Sequence, residues 1–197
     1  MNRERVKYSI GNDKVGPDTI IINMTSAHDC PSLALGLCQV PVGKCYAFRD
    51  ELRWKDPLGS RREQARLWDL LTAEEIADDI RGIVSRRRST PIKFVRFSES
   101  GDFRDLADVD KMNRIADLLA GTVRCYTYTA RHDLFGEPIR ISANLVVNGS
   151  GFMVDNSFQV VSELQRGPRC RGKVGGGCYG CMLCKAKGGK IIQEILR

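Results

Sequence analysis

Residues 19–24 read TIIINM, an apolar and β-branched run that predicts a buried β-strand because it is too short for a helix. IKFVRF at residues 92–97 follows the helix-stopping Pro91, and VRCYTYTA at 123–130 predicts a third strand. Helical patterns occupy the connections between these strands, at residues 60–71, 73–88 and 106–120. Alternating strands and helices predict an α/β fold, built as a (β/α) parallel sheet or a partial barrel with right-handed crossovers.

The C-terminal third predicts further strands and a separate module. Residues 142–148 and 151–161 have strand patterns, with a turn predicted between them at Asn148-Gly149. GKIIQEILR, at residues 189–197, predicts a short amphipathic helix. We therefore expect an α/β core over residues 1–165 and a cysteine-rich cluster-binding module with a terminal helix over residues 166–197.

Seven of the eight cysteines fall into two compact groups. The C-terminal group has the spacing C-x7-C-x2-C-x2-C and consists of Cys170, Cys178, Cys181 and Cys184. Three ligands at three-residue steps with a fourth upstream are typical of a 4Fe–4S cluster. Structural zinc sites more often use two close pairs, and disulfides fit poorly with a chain that shows no secretory signal. The spacing favours iron–sulfur over zinc.

The N-terminal group, Cys30, Cys38 and Cys45, has three cysteines rather than four. A 4Fe–4S cluster on three thiolates leaves one iron without a protein ligand, which is typical of a reactive cluster. Two alternatives stay open: a zinc ion held with His28, and three cysteines buried as small apolar residues. His28 or Asp29 would be the nearest candidate for a fourth protein ligand.

The composition places limits on partners and compartment. The formal net charge is +7. Seven thiolates and two cluster cores of charge +2 would reduce it to about +4, because metal ligands are thiolates. Nucleic-acid binding through the basic segments at 61–62, 86–88 and 185–190 is thus possible but not required. No apolar run is long enough for a membrane span, and a polar N-terminal stretch with unpaired cysteines indicates the reducing cytoplasm.

Three polar loops follow predicted strands. They are the cysteine loop 30–45, the segment 98–102 and the segment around Arg131 and His132. The carboxyl ends of parallel strands share one edge of the sheet, where α/β proteins bind ligands, so we expect these loops to converge. Cys125, inside a strand, is expected to be inert core.

Four motifs in a fixed order resemble the phage "gene product 88" family: DCP…C…KCYA, SGDF at a strand end, YTYTAR, and a closing cysteine box. The similarity spans about residues 28–186. It supports cluster binding more than any particular reaction.

A three-cysteine loop after the first strand of a (β/α) fold also resembles the radical S-adenosylmethionine enzymes. This resemblance implies that the open iron binds the amino and carboxylate groups of the cofactor. The segment after strand 92–97 would then steady it through Glu99, Ser100, Gly101 and Asp102. Arg131, at the end of the third predicted strand, is a further candidate for binding the cofactor through a carboxylate.

We therefore expect an iron–sulfur enzyme with a reactive 4Fe–4S cluster, an auxiliary 4Fe–4S cluster, S-adenosylmethionine and a protein electron donor, acting on an unidentified small or macromolecular substrate. One alternative is a non-catalytic iron–sulfur or zinc protein that binds nucleic acid or a protein partner. Another is an iron–sulfur enzyme whose open iron acts on substrate as a Lewis acid.

Overall fold

Seven β-strands form one sheet in which the strand order follows the chain. This computed structural model describes residues 6–170 and 177–195. The strands are β1 (Ser9–Ile10), β2 (Thr19–Ile22), β3 (Phe94–Phe97), β4 (Arg124–Thr129), β5 (Leu145–Ser150), β6 (Asn156–Val161) and β7 (Ile191–Ile195). β1 pairs antiparallel with β2, and every later neighbouring pair from β2 to β7 is parallel.

Most helices lie in the first two crossovers. The five α-helices of the described residues are α1 (Pro31–Ala34), α2 (Tyr46–Arg53), α3 (Pro57–Leu70), α4 (Ala73–Arg86) and α5 (Leu106–Leu118). The predicted capping box of α4 is present, since Thr72 Oγ1 accepts from the Glu75 amide and the Glu75 carboxylate accepts from the Thr72 amide. Asp105 caps α5 by accepting from the Asp108 amide.

The chain-ordered sheet has two unlike faces. Because each right-handed crossover advances by one strand in the same direction, the connecting helices collect on one face. That face is the main apolar core, where Ile20, Ile22, Val95 and Phe97 pack with helical residues such as Trp68. The opposite face is here called the cavity face. It carries the residues that alternate along the strands with those of the core face: Ile21, Phe94, Arg96, Tyr126, Tyr128 and Val146.

The prediction of a mixed α/β fold with a mostly parallel sheet is confirmed, but two local predictions are wrong. The terminal helix is absent from the described residues, where Ile191–Ile195 form β7 and pair with β6 at five positions. The apolar residues of this short segment fit the periodicity of a helix as well as that of a strand. The strand forms because the edge of β6 offers backbone hydrogen-bond partners, whereas a nine-residue helix is only marginally stable by itself.

The second wrong prediction is the turn at Asn148-Gly149. Both residues lie inside β5, which pairs in parallel with β6 rather than forming a hairpin. The role of Asn148 in this strand is hydrogen bonding, since its side chain donates to the Thr127 and Cys184 carbonyls. A Cβ on Gly149 would overlap the Phe152 carbonyl, so close backbone packing accounts for the glycine.

β7 joins the cysteine-rich segment to the sheet. The segment lies in the connection from β6 to β7, and the Cys170 amide donates to the Gln193 carbonyl at 2.7 Å. Among the described residues, no helix is long and apolar enough to cross a membrane.

The two isoleucines that open β7 form a matched pair for testing this assignment. Ile192 is fully buried, whereas Ile191 is 46% exposed. We expect Ile192→Ala to lower the free energy of unfolding by about 2–4 kcal/mol, because it leaves a cavity in a packed site. Ile191→Ala should cost less than about 1 kcal/mol. Urea unfolding of both variants checks this, and equal costs would contradict the strand assignment.

Candidate metal centre

All seven clustered cysteines line one cavity of about 310 Å³ on the cavity face of the sheet. The N-terminal group consists of Cys30, Cys38 and Cys45, and the C-terminal group of Cys170, Cys178, Cys181 and Cys184. Each of these seven cysteines is partly exposed, whereas Cys125 is buried in a strand, as predicted. Two stretches at opposite ends of the chain therefore face the same space.

The three-cysteine loop is shaped by short helices. Cys30 precedes α1, and the Cys38 amide donates to the Ser32 carbonyl, which folds the loop back over α1. Gly36 makes this reversal with a φ of 68°. Cys45 lies between a 3-10 turn and the start of α2. The position of its thiol therefore depends on α2.

The buried carboxylate of Asp102 connects this loop to the ends of β3 and β4. One oxygen accepts from Ser32 Oγ at 2.6 Å and from the Ala130 amide at 2.7 Å, and the other accepts from the Phe103 amide at 2.8 Å. The Asp102 amide donates to Thr25 Oγ1 just after β2. Three strand ends are thus fixed to one residue.

The residues beside Cys30 have partners away from the cavity. His28 Nδ1 lies 2.7 Å from the carboxylate of Glu51, and its ring stacks on Phe48. Asp29 accepts from Arg62 and from Ser26. Neither His28 nor Asp29 lines the cavity, so neither is placed as a fourth ligand beside the three thiols.

The described part of the C-terminal cysteine segment, residues 177–186, packs across the cavity face. Asn148 donates to the Cys184 carbonyl at 3.0 Å, and Asn156 donates to the Ala186 carbonyl at 3.1 Å. The Cys178 amide donates to the Lys14 carbonyl at 2.6 Å, which ties the segment to the loop before β2. Gly177, with a φ of 61°, allows this approach, because a Cβ there would press on the same carbonyl.

Lys185 brings a buried positive charge to this segment. Its ammonium lies 4.1 Å from the centre of the Phe94 ring and donates to the Cys178 carbonyl. No carboxylate of the described residues forms an ion pair with it. A buried cation needs a compensating negative charge. Asp18 and the thiolates of Cys178, Cys181 and Cys184 would supply it.

Three of the clustered thiols have raised pKa values in the protein without a metal. Burial raises the pKa of Cys30 to about 12, with the Leu33 amide acting in the opposite direction. Burial also raises the pKa of Cys184 to about 12, against the effect of a hydrogen bond with Tyr128. Burial raises the pKa of Cys38 as well. A bound metal would lower these thiol pKa values, because its positive charge favours the thiolate.

The donor set fits the two kinds of metal site expected from the spacing to different degrees. Within residues 6–170 and 177–195, no three His, Cys, Asp or Glu side chains are arranged to hold a metal ion. One zinc ion needs its sulfurs within roughly 4 Å of each other, since each bonds the ion at about 2.3 Å. A cubane bonds each thiolate to a different iron and so takes thiols further apart. Seven thiols in groups of three and four fit two clusters in number and type.

The predicted cofactor residues have unequal surroundings. Glu99, Ser100, Gly101 and Asp102 line the cavity, whereas Arg131 does not. The Arg131 guanidinium instead donates to Asp133 and to the Phe103 and Arg104 carbonyls.

Two members of the segment after β3 have structural partners. Ser100 Oγ donates to the Glu51 carboxylate, and its amide donates to Asn23. A Cβ on Gly101 would overlap Thr25, so this glycine, with a φ of 73°, permits close packing of two loops.

Sequence reasoning missed several polar residues of the cavity. Tyr126, Tyr128 and Arg96 belong to no cysteine motif, yet all three line the cavity. Tyr126 also packs in a small apolar cluster, and Arg96 pairs with Glu99. The available signal was their alternation with Val95, Cys125 and Thr127. In a sheet with helices on one face only, the alternating residues that point to the other face cannot pack against those helices.

Asp102 and Asp105 offer a test of the connection between the three loops. We expect Asp102→Ala to lower the melting temperature and to speed hydrogen exchange across residues 25–45 and 129–132, because it removes three accepted hydrogen bonds at a buried site. Asp105→Ala removes only the α5 cap, at about 1 kcal/mol, and should leave exchange in those ranges unchanged. Equal exchange in both variants would contradict the role of Asp102.

The raised thiol pKa values predict how the metal-free protein responds to alkali. A thiol whose folded pKa exceeds its unfolded value favours folding while both states are protonated, and that contribution is lost as pH rises. Stability should therefore fall from pH 9 towards pH 12 as the unfolded thiols ionise first. The double variant Cys30→Ser, Cys184→Ser should show a shallower fall in thermal unfolding, and an unchanged slope would contradict these shifts.

Comparison with known proteins identifies a family but no close relative. No curated protein and no solved structure matches the chain. A family model described as "Gene product 88" matches residues 3–174, which cover the sheet from β1 to β6, the three-cysteine loop and Cys170. The chain belongs to the gene product 88 family.

Proposed function

We propose that this protein is an iron–sulfur enzyme of the radical S-adenosylmethionine type. Cys30, Cys38 and Cys45 hold a reactive 4Fe–4S cluster, and the four C-terminal cysteines hold an auxiliary 4Fe–4S cluster. The observation that carries the proposal is the single cavity lined by all seven thiols. Cysteines kept only as small core residues would have no reason to share one partly exposed cavity wall.

The topology supports the same function. β2 to β7 are six parallel strands in chain order, and the three-cysteine loop follows β2, the first of them. This is the position at which the resemblance to radical S-adenosylmethionine enzymes puts the reactive cluster. A chain-ordered parallel sheet places its strand ends and the loops after them along one edge.

The surroundings of His28 and Asp29 favour an open iron. Both side chains are held by other groups, and Asp102, the carboxylate near Cys30 and Cys38, already accepts hydrogen bonds from Ser32, Phe103 and Ala130. An exogenous ligand can then occupy the fourth position.

Glu99 is the better carboxylate for the cofactor's amino group. Asp102 already accepts three hydrogen bonds within the protein, and burial raises its pKa. Glu99 lines the cavity, and its position is set by Asn12, which donates to it at 2.6 Å. Tyr46, next to Cys45, donates to the Glu99 carbonyl at 2.5 Å and so connects the cluster loop to this residue.

Cys30, Cys38 and Cys45 would hold the cluster, which would pass one electron from the donor protein to S-adenosylmethionine and so supply the chemistry for taking hydrogen from a substrate. The chain's own contribution is to position the reactants and to exclude water. Apolar side chains, among them Leu33, Val40 and Leu183, line much of the cavity for this purpose. A protein electron donor is part of the proposal.

Anaerobic reconstitution tests the metal assignment. We expect about eight irons and eight sulfides per chain, with absorbance near about 400 nm. Cys38→Ala should lose one cluster, whereas the matched control Cys125→Ala should keep both. A preparation that takes up zinc alone, or one in which Cys38→Ala keeps full iron content, would contradict the assignment.

S-adenosylmethionine binding tests the reaction type. In the reduced protein, the cofactor should change the electron paramagnetic resonance signal of one cluster only, and Cys38→Ala should abolish that change. Slow release of 5′-deoxyadenosine should follow. Turnover without the cofactor would favour the Lewis-acid alternative, and salt-dependent nucleic-acid binding without cofactor affinity would favour the non-catalytic alternative.

A further inference from the structure

Three buried polar atoms on the cavity wall have no hydrogen-bond partner among the described residues. They are Arg96 Nε, Ser98 Oγ and the Tyr126 hydroxyl. The residues are 7%, 5% and 2% exposed. Each buried group left unpaired costs about 1–3 kcal/mol, so three on one wall indicate that a ligand satisfies them.

The three residues are neighbours in the sheet. Arg96 on β3 pairs in register with Tyr126 on β4, so their side chains leave the same face side by side. Ser98 comes two residues after Arg96, immediately beyond β3. Its φ of 55° lies in the left-handed region, which a non-glycine residue adopts only where the surroundings enforce it.

The rest of the Arg96 guanidinium is already positioned. Nη2 donates to the Tyr46 hydroxyl at 3.1 Å, Nη1 lies 3.8 Å from the Glu99 carboxylate, and the group stands 5.3 Å from the centre of the Tyr128 ring. Nε is the guanidinium nitrogen that is buried without a hydrogen-bond partner among the described residues.

Arg96 lies between the two cysteine groups. Tyr46 follows Cys45 directly, whereas Tyr128 forms a hydrogen bond with Cys184. A ligand on Arg96 Nε is therefore placed between the three-thiol and four-thiol groups.

The donors of the subsite favour an anionic ligand group, although two clusters on seven thiolates would add about −3 to the charge of the cavity wall. Among the described lining residues, five carry a positive charge: Lys14, Lys44, Arg49, Arg96 and Lys185. Three are carboxylates: Glu99, Asp102 and Glu194. Arg96 and Lys185 are the buried cations of the set. Arginine with two hydroxyl donors matches the oxygen atoms of a carboxylate or a phosphate.

We propose that Arg96, Ser98 and Tyr126 bind an anionic oxygen group, a carboxylate or a phosphate, of the substrate. This inference rests on the proposed function. The cofactor site is assigned to the Glu99 end of the loop, beside the three-cysteine group. The subsite extends from there across β3 to β4, which leaves it for the second reactant. Its donors hold the substrate between the two clusters and move no proton in the reaction.

Two substitutions test the subsite without disturbing existing hydrogen bonds. Tyr126→Phe removes an unpartnered hydroxyl, and Ser98→Gly removes another while suiting the left-handed backbone. Both variants should melt at or above the wild-type temperature, because they remove unsatisfied buried groups. Tyr179→Phe, which removes the hydroxyl of a mostly exposed tyrosine, is the matched control.

Inorganic phosphate and acetate serve as probes for the reconstituted protein, measured by titration calorimetry and by the shift in melting temperature. We expect one of the two anions to bind, and we expect Tyr126→Phe and Ser98→Gly each to weaken it by about tenfold, with Tyr179→Phe unchanged. Arg96→Gln should abolish binding.

Three results would overturn the inference: no binding of either anion, equal affinity in all variants, or loss of the anion when S-adenosylmethionine is added. The last would assign the subsite to the cofactor's carboxylate. Anion binding needs no cofactor cleavage, so an anion bound without 5′-deoxyadenosine release refutes only the proposed function. Cofactor cleavage without anion binding refutes only the subsite.

Discussion

The carboxylate of Asp102 is the contact on which the arrangement of the site depends. It is buried at the end of β3 and receives hydrogen bonds from Ser32 in the cysteine loop and from the Ala130 amide after β4. Its own amide donates to Thr25 after β2. Burying a carboxylate is costly unless its lone pairs are satisfied, and here Ser32, Phe103 and Ala130 supply the donors. The same bonds that compensate for burial hold the cysteine loop against the strand ends.

The parallel, chain-ordered sheet explains why a cavity exists at all. Its crossover helices cover one face, and the other face would be exposed if the chain did not return across it. The C-terminal cysteine segment makes that return, held by Asn148 and Asn156 from neighbouring strands. Because this segment replaces a helix, it brings thiols instead of an apolar surface to the cavity face. The site is therefore a consequence of how the second face is covered.

Much of this architecture could be predicted from the sequence, and the failures share a physical cause. The strands β2, β3 and β4 have strong local periodicity, and the helices α4 and α5 have both periodicity and capping residues. These elements can therefore be predicted without knowing which elements pack against them. β7 and the Asn148-Gly149 pair were mispredicted because the partner strand β6 decides their conformation. The cysteines could be grouped by their spacing in the sequence. The convergence of both groups on one cavity depends on the tertiary structure and could not be predicted from that spacing. The same holds for Arg96 and Tyr126, whose alternation on a strand is equally consistent with core packing.

The central claim is that both cysteine groups bind iron–sulfur clusters facing one cavity. Anomalous diffraction at the iron absorption edge, from anaerobically grown crystals of the reconstituted protein, tests it most directly. The account predicts two iron peaks, one bonded to Cys30, Cys38 and Cys45 and the other to Cys170, Cys178, Cys181 and Cys184, with the cavity between them. A single iron peak with ligands from both groups, or crystals that contain only zinc, would contradict it.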